Sequence, residues 1–277
     1  MNRYVRIVVV LLLICTLTGC AKEKKNKETI NLNESNMIDI NLISKQEDTQ
    51  SYWGGIVHNF ARGEGGYYYQ SNSEFLMFFD YEQKDSYPVC GIPDCAHNSN
   101  SCNAYIGHGI GKEQLETYYL IQTVYYYKGY IYLLDNNGNL VRVTPDGSRR
   151  EIVANVYVYE GRTGISLVFY DDSVYVYDRN PDDDRKKERT ATITRYSLDG
   201  KEKEVAVEYR GIGTVIANAN AYGNQLFFSI SNLNVKEEDG KSEYYQGYDG
   251  LYVYNMDTGK CGKAIDKPIT DYCVDSE

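Results

Sequence analysis

Residues 124–134 read Val124-Tyr-Tyr-Tyr-Lys-Gly-Tyr-Ile-Tyr-Leu-Leu134, and residues 140–147 read Leu140-Val-Arg-Val-Thr-Pro-Asp-Gly147. Aromatic and β-branched residues crowd both sides of Lys128-Gly129, the pattern of two strands joined by a tight turn. Leu140 to Val143 supplies a third strand, and Asp146-Gly147 is a hairpin turn into a fourth over Arg150 to Val153. The same order returns in Leu167 to Tyr177, Thr192 to Gly200 and Lys203 to Val207. It returns again in Ala221 to Ile230 and Leu251 to Gly259. A weaker copy, Gly66 to Tyr69 and then Phe75 to Asp80, comes first. The spacing is loose because charged insertions, Arg179 to Arg189 and Lys236 to Glu243, lengthen two of the hairpins.

Composition agrees. The chain of 277 residues holds 29 Tyr against 7 Phe, 1 Trp and 5 Pro, and tyrosine suits pleated, half-buried surfaces. Four-stranded units too small to bury a face alone imply an all-β β-propeller, with about four readable blades over residues 51–277. A β-sandwich is the alternative, but it does not explain the repeated strand–turn order. The balance of 29 basic against 39 acidic residues, net −10, argues against nucleic acid as a partner, because phosphate binding needs a cationic face.

The repeating unit resembles the blades of TolB-like and low-density-lipoprotein-receptor-like propellers. These are usually six-bladed and occur in surface lipoproteins of Clostridia-type bacteria. The stretch Pro88-Val-Cys-Gly-Ile-Pro-Asp-Cys-Ala-His-Asn-Ser-Asn-Ser-Cys-Asn-Ala-Tyr105 is similar to a cysteine-bearing element of the same lipoproteins. Four units are fewer than the resemblance implies, so the ring is small, holds unreadable blades, or is an incomplete copy. An unclosed ring would leave edge strands open to dimerisation.

The N-terminus carries Arg3 and Arg6 ahead of an unbroken apolar run, Ile7 to Cys15. That run is far below the roughly 20 residues a spanning helix needs, and it reads as a signal-peptide core. Leu17-Thr18-Gly19-Cys20 resembles the lipobox of bacterial lipoproteins. The resemblance implies removal of residues 1–19 and acylation (palmitate or a similar chain) of Cys20, on the extracytoplasmic face of the cell membrane. Residues 21–50 contain no aromatic residue, Gly or Pro and mix five Lys with six acids. So polar a stretch reads as a disordered tether from residue 20 to 50, spanning roughly 30 Å as a coil. Lys22, Lys24, Lys25 and Lys27 would lie beside anionic headgroups.

One group of residues has the chemistry of a site. Cys90, Cys95, His97 and Cys102 follow C-x4-C-x-H-x4-C. Three thiolates and an imidazole are a legitimate tetrahedral zinc set, although the spacing belongs to no standard finger. In an extracytoplasmic protein cysteines usually pair, which favours a disulfide-stapled structural loop with a spare thiol and His97 as a bystander. These two readings and a third, reduced structural cysteines, stay open, and Cys261 and Cys273 add two further thiols.

Other candidates fall short. Arg179 to Arg189 lacks the alternating acids, central Gly and distal Glu of a calcium loop, and Gly107 to Lys112 lacks the Gly and Ser/Thr positions of a P-loop. His58 and His108 stand alone. The tyrosines could stack on sugars, but alternation assigns most of them to packing between blades. With no catalytic motif and no cofactor signature apart from the Cys/His group, the expectation is a membrane-anchored binding module for a protein or glycan ligand. A glycan-active surface enzyme and a metal- or redox-linked lipoprotein are the alternatives.

Overall fold

The computed structural model describes residues 29–34, 60–71, 74–107, 116–120, 123–157, 165–178, 186–238, 240–270 and 272. The signal sequence, Cys20, His58, His108, Cys273, the acidic tip within Arg179 to Arg189 and most of the polar tether lie outside these residues. The described chain is all-β, its one helical turn being a 3-10 turn at Leu32–Glu34.

A two-residue strand, β1 (Ile30–Asn31), precedes four antiparallel sheets that follow one another along the chain. Blade 1 is β2 (Phe60–Gly63), β3 (Gly66–Gln70), β4 (Leu76–Asp80) and β5 (Asp85–Pro88). Blade 2 is β6 (Tyr125–Tyr127), β7 (Tyr130–Leu134), β8 (Asn139–Val143) and β9 (Arg150–Asn155). Blade 3 is β10 (Ile165–Tyr170), β11 (Ser173–Asp178), β12 (Glu188–Ser197) and β13 (Lys203–Ile212). Blade 4 is β14 (Val215–Tyr222), β15 (Gln225–Glu238), β16 (Lys241–Asn255) and β17 (Cys261–Ile265). Each blade is a meander in sequence order. Four separate sheets, in place of two facing ones, make this a four-blade propeller arrangement and exclude the sandwich.

Local sequence explains the strand ends. Lys128 and Gly129 both take left-handed backbone, φ 46° and 80°, as the tight turn between twisted strands requires. The charged insertion at 236–243 is a continuation of strands, since β15 and β16 stay paired as far as Glu238 and Lys241.

Three seams between adjacent blades hold most of the core. Tyr68, Leu76 and Phe78 of blade 1 pack with Ile131, Leu133, Val141 and Val143 of blade 2. Tyr125, Tyr132 and Leu134 of blade 2 pack with Leu167, Phe169 and Val176 of blade 3. Tyr175, Tyr177 and Ile193 of blade 3 pack with Leu226, Phe228, Tyr252 and Tyr254 of blade 4. The far face of blade 4, carrying Tyr222, Phe227, Leu251 and Val253, is covered by Ile269 and Tyr272. On blade 1 the opposite face keeps Phe60 and Tyr81 exposed around Tyr67.

The structure differs from the sequence reading at residues 29–34. Ile30 and Asn31 pair in parallel with Val207 and Glu208 on the outer edge of blade 3. The Thr29 hydroxyl donates to the Val205 carbonyl at 2.7 Å, and Asn33 exchanges bonds with the Arg210 backbone at 2.9 and 3.0 Å. Leu32 is only 2% exposed. Two apolar residues and an otherwise unpaired strand edge suffice to order this short piece of a polar stretch.

The seam between blades 1 and 2 has a polar clamp as well. Arg150 donates to the carbonyls of Asn103 and Tyr105, its guanidinium lies over the Tyr119 ring at 5.0 Å, and the Asn103 amide donates to the Gly147 carbonyl at 2.9 Å. Gly147 (φ 68°) sits where a Cβ would come within 2.2 Å of the Val89 carbonyl oxygen.

Two substitutions test this packing. Phe169 is 3% exposed and touches the rings of Tyr125, Tyr127 and Tyr132, so Phe169→Ala is expected to cost about 3–5 kcal/mol in denaturant unfolding. Arg150→Ala strips two carbonyls of their donor and is expected to cost about 1–3 kcal/mol. Unfolding midpoints unchanged from wild type would show that these seams do not carry the fold.

Candidate metal centre

The segment between β5 and Tyr105 leaves blade 1, turns on Pro93-Asp94 and returns, so both of its ends are fixed. At the outgoing end, the Val89 amide bonds the Leu76 carbonyl. At the returning end, the Leu76 amide bonds the Ala104 carbonyl, Ile106 bonds Glu74, and Phe75 bridges Tyr105. Gly91 lies so close to Ser148 of the β8–β9 turn that a Cβ would fall 2.7 Å from its Cα. The segment is thus pinned to blade 1 by its own backbone and to blade 2 through Asn103, Arg150 and that turn.

Between these fixed ends, all four sequence candidates meet. The donor atoms of Cys90, Cys95, His97 and Cys102 lie within 4.8 Å of one another. His97 Nδ1 is 3.3 Å from Cys102 Sγ. Asp94 and His97 both adopt left-handed backbone, φ 56° and 50°, a conformation that is strained for residues with a Cβ. The strain accompanies the two reversals that turn Cys95 and His97 toward Cys90 and Cys102.

The surroundings act differently on the sulfurs. Cys102 is buried and accepts the Ala104 amide at 3.3 Å. Burial opposes ionisation of Cys90, yet amides of Ile92 and Asn103 and the thiols of Cys102 and Cys95 together pull its pKa below that of an ordinary thiol. Burial pushes the Cys102 thiol up to about 12, against the Ala104 amide, and contact with Cys90 and Cys95 adds to the rise. The four described cysteines are free thiols. Cys261 stands apart on β17, its thiol raised to about 12 by burial.

Sequence reasoning missed the supporting residues. Asn103 and Arg150 hold the returning arm, and nothing in their spacing marks them. Gly91 and Gly147 allow the close approach of blade 2, which becomes legible only once the turn at 144–149 is seen against the segment.

Compared with known protein families and with curated proteins, the sequence matches none. Solved structures with a similar course include a computationally designed protein, Ika4, with 8% identity and a TM-score of 0.36 over 74% of this chain and 96% of that one. An oligogalacturonate lyase in complex with manganese gives 11% identity and a TM-score of 0.38 over 77% of this chain and 65% of the lyase. A puromycin hydrolase gives 11% identity and a TM-score of 0.39 over 76% of this chain, which spans 28% of the hydrolase's length. No functional statement follows from likenesses this distant.

Proposed function

We propose that this chain is a lipid-anchored propeller of the bacterial cell envelope, a binding and interaction module held at the extracytoplasmic face of the membrane through acylated Cys20. The observation that carries the reading is the docking of residues 29–34 on blade 3. The candidate acylation site stands only nine residues before Thr29, and Thr29 is hydrogen-bonded to β13. Nine residues reach at most roughly 30 Å when fully extended, so an acyl chain on Cys20 would hold blade 3 close to the bilayer. A tether free over its whole length would fix no such distance. Lys22, Lys24, Lys25 and Lys27 fall within those nine residues, where cations favour an anionic surface. The charge of −10 over the whole chain supports a partner other than nucleic acid. The likeness of the repeats to the blades of propeller lipoproteins supports the same assignment.

Labelled palmitate is expected to enter the wild-type chain and to leave Cys20→Ala unlabelled and released from the membrane fraction. Leu32→Asp, which places a charge in the seat now filled by Leu32, is expected to keep the label. It should also speed protease cleavage between the anchor and the blades. Equal labelling of wild type and Cys20→Ala would overturn the anchoring.

A further inference from the structure

We propose that Cys90, Cys95, His97 and Cys102 form a tetrahedral zinc site that locks blade 1 to blade 2. The proposal rests on the convergence of four donors in one place and does not depend on the lipid anchor.

Two arrangements compete for these residues. A disulfide brings two sulfurs to about 2.05 Å, and it leaves the third thiol and the imidazole without a task. Tetrahedral zinc, with Zn–S near 2.3 Å and Zn–N near 2.1 Å, spaces its ligand atoms about 3.5–3.8 Å apart. The observed separations all fall within 4.8 Å, so an inward movement of about 1 Å or less completes the set. His97 is held in that set at the expense of left-handed backbone, with Nδ1 directed at Cys102 Sγ. A disulfide would account for two of the sulfurs and give His97 and the third thiol no part in the convergence.

Backbone donors are also in place around the sulfurs. Backbone amides reach two of them, Ala104 to Cys102 and both Ile92 and Asn103 to Cys90. Amide donors stabilise charge on sulfur, and a metal-bound thiolate keeps that charge. Ligands bonded to the metal also need fixed outer partners. Here Asn103, whose amide serves Cys90, is itself held by Arg150 and bonded to Gly147 of blade 2. Zinc suits the donor set because borderline-soft, redox-inactive Zn²⁺ accepts mixed thiolate and imidazole ligands without oxidising them. All four positions of the tetrahedron would be filled by protein, which makes the site structural. Its effect is mechanical: the ion fixes the segment that carries Gly91 and Asn103 against the β8–β9 turn.

The test uses the full chain purified in detergent without chelator, alongside His97→Ala, His97→Cys and Cys95→Ser. Elemental analysis is expected to find about one zinc per chain. Cobalt(II) exchanged into the protein should give the visible absorption of a tetrahedral thiolate site. Losing an outer partner already weakens metal sites by about 10–100-fold, so losing a ligand in His97→Ala or Cys95→Ser should weaken zinc by more than ~100-fold. His97→Cys should keep the metal and the visible absorption of a tetrahedral cobalt site, shifted by the fourth thiolate, which separates ligand loss from misfolding. Chelation of the wild type should lower its melting temperature and leave that of His97→Ala unchanged. Zinc well below one per chain overturns the site, whether mass spectrometry then finds a disulfide among Cys90, Cys95 and Cys102 or three free thiols. Iron in place of zinc, or zinc retained in full by His97→Ala, overturns it equally.

Discussion

Every blade here is a single four-stranded sheet, and such a sheet cannot bury its apolar residues by itself. Face-to-face packing of successive blades is therefore the contact on which the rest depends. This requirement also accounts for the tyrosine content. A phenylalanine would fill a seam equally well, but a tyrosine fills it and reaches a polar group beyond. The Tyr170 hydroxyl donates to Asp257 at 2.8 Å, and the Tyr177 hydroxyl accepts the Ala219 amide at 3.2 Å, both from blade 3 to blade 4. Tyr196 donates to the Val156 carbonyl at 3.3 Å, and Tyr125 of blade 2 is bonded by the Leu167 amide of blade 3. A buried hydroxyl without a partner would cost about 1–3 kcal/mol. The three buried bonds, those of Tyr125, Tyr177 and Tyr196, therefore favour one alignment of the seam over a slipped one, while the Tyr170 bond is exposed to solvent. Tyr254, whose buried hydroxyl meets no partner, is the exception among these rings.

The seam between blades 1 and 2 is built differently. Its core is largely aliphatic, with Val124, Ile131, Leu133, Val141 and Val143 facing Leu76 and Val89. Apolar packing is non-directional, so these residues alone do little to fix the alignment. Specificity comes instead from the Cys/His segment, through Asn103, Arg150 and the close fit of Gly91 and Gly147. The proposed zinc at the tip of that segment would do for this seam what tyrosine hydroxyls do for the other two. Metal binding would also keep three neighbouring thiols reduced, because metal-bound sulfur is withheld from pairing.

Much of the fold was legible because it is local. Alternation set β6, β7, β10 and β11, while Lys-Gly and Asp-Gly turns set the hairpins between β6 and β7 and after β8, each within a few residues of where it lies. What escaped is either too short for a period or fixed by a distant partner. β1 has two residues, and only the free edge of β13 makes it a strand. The insertion at 236–243 read as a lengthened hairpin, and only the structure shows that it is strand, with β15 and β16 paired as far as Glu238 and Lys241. At the site, the four donors were legible from their residue types and spacing. Their closeness in space also follows from that spacing, whereas the backbone anchors at Leu76 and Glu74 and the turn in the next blade were not legible. Sequence spacing bounds how far apart two ligands can lie, and tertiary contacts decide whether they meet.

The docking of β1 follows from the same physics that shapes the blades. An outer strand leaves a row of unpaired amides and carbonyls, and a long one invites a foreign strand. β13 is the longest of the outer strands, at ten residues against six or fewer in β5, β9 and β17. It is also the one that the chain covers with its own N-terminal segment. The cover is partial, ending where Asn33 turns its side chain back onto Arg210 and closes the ladder with reciprocal bonds. Two residues of backbone pairing alone would fray. Burial of Leu32 in the seam between blades 3 and 4 supplies the apolar contact that holds them. One short segment thus caps the longest outer edge, and through the few residues between Cys20 and Thr29 it would fix which edge of the propeller lies nearest an anchoring membrane.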